Sequence, residues 1–190
     1  MTKPSEMQVN VLNSMQYLDT KLPAGSHVLL TGLANGSYLY AILSERIHPI
    51  GRVKNDVQYK DVYTFLSCLQ ISPCNGWLTT NDTEREMTTD IAVQLSEVIK
   101  NVTLSNKFKN FDMSYIDFPF DELIKRWVNM GGEPWQLLEP IDGFHVNQYA
   151  HALIGDILWD SIDKNLPDWL GPVNPNNDLI TKLFGDQGGY

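Results

Sequence analysis

The chain has 190 residues, 43% hydrophobic, 11% aromatic and 19% charged, with a net charge of −9. This composition excludes a largely disordered chain and fits one domain, or a large piece of one, long enough to bury a core. The acidic balance excludes a nucleic-acid partner, since the densest basic run, Lys107 to Lys109, is too small to neutralise a phosphate backbone.

No segment is long and apolar enough to predict a membrane span. The opening Met1-Thr2-Lys3-Pro4-Ser5-Glu6 lacks the apolar core of a secretory signal. Three N-x-S/T sequons point the other way: Asn35-Gly36-Ser37, Asn81-Asp82-Thr83 and Asn101-Val102-Thr103. Together they raise the expectation of a glycosylated protein with a secretory history. Cys68 and Cys74 are the only cysteines. Their spacing permits one disulfide across a tight loop, or two free thiols, and is wrong for a CxxC redox or zinc motif.

Along the chain, residues 6–20 carry Met7, Val11, Leu12, Met15 and Leu18 at helical spacing. Leu22-Pro23-Ala24-Gly25 breaks that helix, and residues 27–33 form a short apolar run expected as a strand buried on both faces. A helix over 38–45 completes the first half of a crossover unit. Residues 46–83 are irregular, punctuated by Pro49, Gly51, Pro73 and Gly76, with a short helix over 59–69. The spacing of Ile91, Leu95, Val98 and Ile99 predicts a surface helix over 84–102, capped by Asn81, Asp82 or Thr83. A second strand is expected over 110–120 and a short helix over 121–128, closed by Gly131-Gly132. An extended approach over 133–145 leads to a last helix over 148–162. The tail, 171–190, is expected to be irregular.

This order gives an α/β fold, the C-terminal portion of a three-layer α/β/α sandwich whose parallel sheet is incomplete. Two parallel strands cannot bury their faces or protect their edges. One partial domain over 1–190 is therefore expected, belonging to a larger fold or needing a partner chain.

The candidate chemistry lies in Asp142-Gly143-Phe144-His145. A carboxylate three residues ahead of a histidine can hold the imidazole in one tautomer and stabilise the imidazolium formed when the ring takes a proton. The plain alternative is a turn made by Asp142 with His145 opening a helix. The motif gains weight because it follows a loop, opens the helix after the last strand, and so lies near the carboxyl edge of the sheet. Phe144 and Trp135 could exclude water or meet an acyl chain, although core packing is the simpler role for Trp135. No G-D-S or G-x-S-x-G block supplies a nucleophile. Ser37, Ser67 and Ser72 read as cap, turn or sequon residues, and His27, His48 and His151 have no evident carboxylate partner. Asp117 and Glu139 read as solvated surface carboxylates. No metal or cofactor motif is present.

The D-x-x-H before the last helix resembles the final block of the SGNH, or GDSL-type, esterases. Longer strings resemble the C-terminal region of the large subunit of the acyloxyacyl hydrolase family. They include Tyr59-Lys60-Asp61-Val62-Tyr63, Phe65-Leu66-Ser67-Cys68-Leu69-Gln70, Ser72-Pro73-Cys74 and Gly131-Gly132-Glu133-Pro134-Trp135-Gln136-Leu137. Asp142-Gly143-Phe144-His145 and Phe184-Gly185-Asp186-Gln187-Gly188-Gly189 complete the set. The resemblance implies a cofactor-free serine ester hydrolase that removes secondary fatty acyl chains from the lipid A of lipopolysaccharide. It implies secretion or endolysosomal residence, His145 as general base and Asp142 as its orienting carboxylate. The family's G-D-S serine block, its oxyanion glycine and asparagine, and its saposin-like small subunit have no counterpart in these residues. The expected partners are thus an acylated lipid and a serine-bearing segment, and the chain alone is expected to be inactive. Two other functions stay open: a non-catalytic binding protein built on a hydrolase half-fold, and an SGNH esterase for another lipid or sugar ester.

Overall fold

The first helix, α1, spans Pro4–Asp19, with proline in the first turn and the Glu6 carboxylate accepting the Lys3 N–H at 2.9 Å. This computed structural model describes residues 2–72 and 74–186; Pro73 of the cysteine loop and the closing Gln187-Gly188-Gly189 lie outside the described residues. The chain divides after Leu158 into two compact units.

In the first unit, β1 (Ser26–Thr31) is followed by α2 (Ser37–Leu43), a 3₁₀ turn at Pro49–Gly51, α3 (Tyr59–Cys68) and α4 (Asp82–Ser105). Among the three cap candidates for α4, Asn81 takes the position: its side chain accepts the Glu84 N–H. After α4 the chain returns as β2 (Phe111–Ile116), then α5 (Phe120–Asn129) and a 3₁₀ turn at Pro134–Leu137. Ten residues, 138–147, separate that turn from the helix α6 (Gln148–Asn165), and they hold the D-x-x-H motif.

The two strands pair in parallel, Ser26 opposite Phe111 through Thr31 opposite Ile116. The expected parallel crossover and mixed α/β fold are therefore present, with two strands among the described residues. One expectation fails. The first strand is not buried on both faces: His27 is exposed and its neighbours are only half-buried. α4 packs on both strands, and among the described residues each strand has only the other as a ladder partner.

The main core gathers Leu39 and Leu43 of α2, Tyr59 and Tyr63 of α3, and Phe120 and Leu123 of α5, with Leu137, Leu138 and the inner face of α6. Leu123 is fully enclosed. Along α6 the buried positions are Ala150, Leu153, Ile154 and Ile157, an i, i+3, i+4, i+7 stripe. In the second unit, the 3₁₀ turn Pro167–Trp169 precedes α7 (Asn177–Phe184). Part of the tail read as irregular is thus helical. The Asn174 side chain accepts the Asn176 N–H in a local turn, and Leu179, Ile180, Leu183 and Phe184 recur at helical spacing.

Candidate active site

The loop that carries Asp142 and His145 closes on itself before α6 begins. Leu138 and Val146 form an antiparallel bridge, the Glu139 N–H donates to the His145 carbonyl at 2.8 Å, and the Gly143 N–H donates to the Glu139 carbonyl at 2.9 Å. Gly143 makes the reversal with φ +62°, a left-handed conformation that glycine adopts without steric cost.

Within this turn the D-x-x-H spacing has a direct physical reason. Asp142 Oδ1 accepts the N–H groups of Phe144 at 2.8 Å and His145 at 3.1 Å, which fixes the carboxylate. Its other oxygen, Oδ2, lies 2.7 Å from His145 Nδ1. An ionised carboxylate only accepts, so the proton of that bond belongs to Nδ1. Nε2 is then the nitrogen left to exchange a proton, and no hydrogen bond occupies it among the described residues. The imidazole is 70% exposed, so a reacting group can reach it. Burial acts most strongly on the Asp142 carboxyl and pushes its pKa up. The His145 ring, the Phe144 and His145 N–H groups and the His145 charge together outweigh burial and hold it below the ordinary 3.8.

Three aromatic side chains from distant parts of the chain hold the loop from beneath. Tyr59 donates its hydroxyl to the Pro140 carbonyl at 2.6 Å, and Tyr63 donates to the Gly143 carbonyl at 3.1 Å. His48 Nδ1 accepts the Ile50 N–H at 3.1 Å, so its proton sits on Nε2, which donates to the Ile141 carbonyl at 2.8 Å. All three rings are buried. Burial is the main reason that the Tyr59 and Tyr63 hydroxyls are held protonated above their ordinary range. A Cβ on Gly143 would run into the Tyr63 hydroxyl and come within 2.9 Å of the Tyr59 ring.

Phe144 packs edge-on to His145, with ring centroids 5.1 Å apart, and stacks on Trp77 at 6.4 Å. Phe144 and Trp77 line an apolar cavity of about 340 Å³ together with Leu33, Ile91 and Leu95. Leu33 follows β1 by two residues, so the motif lies toward the carboxyl end of that strand. Trp135, by contrast, is neither core nor beside His145: it is exposed, with the Arg46 guanidinium over its ring.

The other singled-out residues disperse. His27 does have a carboxylate partner, Asp112, its neighbour in the strand register, a contact invisible in sequence because 85 positions separate the two. His48 serves the loop, and His151 is exposed. Asp117 accepts the Tyr115 hydroxyl, and Glu139 is exposed. Neither Ser37, Ser67 nor Ser72 hydrogen-bonds to His145. Cys68 and Cys74 are free thiols, and burial pushes the Cys74 thiol up. No cluster of metal-ligating side chains occurs among the described residues. Sequence reasoning missed Tyr59 and Tyr63 altogether and missed the loop-holding role of His48. Their one visible signal was the i, i+4 spacing of Tyr59 and Tyr63, which places both on one face of α3.

The whole chain aligns with curated acyloxyacyl hydrolases: 47% identity with the rabbit protein (Oryctolagus cuniculus) and 45% with the human and mouse proteins, over all 190 residues. From end to end this is an acyloxyacyl hydrolase-like region. It spans about a third (33%) of the length of those acyloxyacyl hydrolases. No family model matches the sequence. The expected resemblance to acyloxyacyl hydrolase is thus confirmed over the length of the chain.

Proposed function

We propose that this chain supplies the histidine base and its orienting carboxylate to a serine ester hydrolase that removes secondary fatty acyl chains from the lipid A of lipopolysaccharide. The observation that carries the reading is the doubly anchored Asp142 carboxylate, which holds His145 Nδ1 at 2.7 Å and leaves Nε2 open to solvent. The serine would come from a segment outside these residues, as the absence of a G-D-S block suggests.

In that reaction His145 Nε2 takes the serine proton as the serine oxygen bonds to the ester carbonyl carbon. Asp142 stabilises the imidazolium without itself taking the proton. Collapse of the tetrahedral intermediate breaks the bond to the leaving alcohol, which receives that proton from Nε2, and an acyl-enzyme remains. Water then attacks the acyl carbon while Nε2 takes its proton. The fatty acid departs as the proton passes back to the serine oxygen. The apolar cavity against Phe144 supports an acyl-chain substrate, because each buried CH₂ stabilises binding by about 0.8 kcal/mol. Exposure of the sequon residues Asn81 and Asn101 supports a glycosylated protein of the secretory or endolysosomal route.

The test is a chimera in which these residues replace the matching third of the rabbit acyloxyacyl hydrolase. Release of labelled secondary acyl chains from lipopolysaccharide is expected, with loss in the His145→Ala chimera. A folded chimera without activity, or one indifferent to His145, would overturn the reading and favour a non-catalytic binding role.

A further inference from the structure

Phe144 does more than line the apolar cavity. Its N–H is tied to Asp142, which fixes its backbone and leaves the direction of its ring to its neighbours. The ring stacks on Trp77 at an interplanar angle of 27° and meets His145 at 89°. His145 is placed in a similar way. The bond from Nδ1 to Asp142 locates one atom of the imidazole, and the ring can still turn about it. With 70% of that side chain exposed, few neighbours hold its plane. The edge-on contact with Phe144 is a preferred aromatic geometry, and it opposes the rotation.

Trp77 is the anchored end of this row of rings. Its Nε1–H donates to the Thr89 hydroxyl at 3.1 Å, and that hydroxyl donates to the Arg85 carbonyl at 2.9 Å, which ties the indole to α4. The indole also lies against Gly36, at the turn before α2, where a Cβ would run into the ring. The Trp77 and Leu78 N–H groups both donate to the Cys74 carbonyl, at 3.1 and 3.0 Å, and Leu78 is buried in the core. The row Trp77, Phe144, His145 thus runs from a ring held on several sides to an exposed one. Trp77 and Phe144 line the cavity of about 340 Å³, and His145 does not. An apolar chain in that cavity meets the two rings and reaches the base only through Phe144.

We propose that Trp77 is a positioning residue for ester cleavage: through Phe144 it sets the plane of the His145 ring, and an acyl chain that fills the cavity tightens the same stack. This role rests on the ester-cleavage reading and adds to it the step at which the chain is recognised. A base displaced by about 1 Å loses on the order of a hundredfold in rate, so a chain that steadies the imidazole acts on kcat and not on binding alone.

The test is an NMR titration of the purified chain with 1-octanol, a neutral apolar probe. Saturable shifts are expected at the Leu33 and Leu95 methyl groups, the Trp77 indole N–H and the His145 ring together. In Trp77→Leu, which keeps an apolar wall, the methyl shifts are expected to remain and the His145 shift to be largely lost. Trp77→Phe, which returns a ring to stack on Phe144, is expected to recover it. Methyl shifts without a His145 shift in the parent chain, a His145 shift indifferent to Trp77→Leu, or no methyl shift at millimolar octanol would overturn the proposal. The titration of the parent chain needs no variant, and Thr89→Val, which keeps the indole and removes its anchor, gives the same comparison if Trp77→Leu fails to fold. In the chimera with the rabbit protein, Trp77→Leu is expected to lower kcat about tenfold on long-chain esters with KM little changed, and Trp77→Phe to restore it. A loss confined to KM would overturn the proposal and leave Trp77 a cavity wall. An inactive parent chimera would count against the ester-cleavage reading, whereas the octanol shifts at His145 decide the coupling by themselves.

Discussion

The hydroxyl of Tyr63 donates to the carbonyl of Gly143 at 3.1 Å, joining α3 to the turn between Asp142 and His145 across 80 positions of sequence. The carbonyl is that of the residue whose left-handed φ makes the turn. Tyr63→Phe removes one buried hydrogen bond and leaves that acceptor unpaired, a cost of about 1–3 kcal/mol. Urea unfolding is expected to show that loss, and the amide signals of Phe144 and His145 are expected to shift. A variant as stable as the parent, with both amides unmoved, would show that the loop holds itself.

Gly143→Ala is expected to be worse than Tyr63→Phe. The added Cβ meets φ +62° and the two tyrosines at once. The left-handed conformation alone costs an alanine about 1–2 kcal/mol, and displacement of a buried ring adds to it. A fall of at least ~2 kcal/mol in unfolding free energy is expected; a change below ~0.5 kcal/mol would contradict the close packing under the turn.

Acid should release the loop through Asp142. Its carboxyl is held below 3.8 in the folded chain, so its stabilising contribution is full above the unfolded value and is lost as pH falls through the lowered one. The Nδ1–H donor is present on the neutral and on the protonated ring alike, so the bond fails only when the aspartate is protonated. The Phe144 and His145 amide signals are expected to move together in a transition centred below pH 3.8. A midpoint at or above that value would contradict the anchoring.

In the chimera with the rabbit protein, Asp142→Asn is expected to lower kcat on the order of 10⁴-fold, by analogy with the loss of tautomer control in serine hydrolases generally. Retention of the parent rate would remove Asp142 from the site.

Substitution of Ala92 tests the acyl-chain cavity. Ala92→Leu adds volume to a buried wall of the space beside Phe144. The chimera carrying it is expected to lose turnover of long acyl chains several-fold more than of short ones. An equal effect on both would show that the chain lies elsewhere.

Much of this arrangement was legible in the sequence because it is local. The i, i+3, i+4 stripes fixed the helices, and the Asp142 to His145 spacing lets one carboxylate serve two amides and a ring without help from elsewhere. The rest depended on distance. His27 meets Asp112 only through the strand register, and Tyr59, Tyr63 and His48 reach the loop only once α3 packs beneath it. Trp135 read as core because its type favours burial, yet the neighbouring Arg46 covers its face and keeps it at the surface. In the tail, the prolines and asparagines around 172–177 masked the spacing that forms α7.

The most direct measurement is the ring tautomer of His145, read from long-range ¹H–¹⁵N correlations of the purified chain as the imidazole is titrated to its neutral form. The account predicts a proton on Nδ1 and a bare Nε2, with that preference lost in Asp142→Asn. A neutral ring protonated on Nε2, or a tautomer indifferent to Asp142, would contradict it.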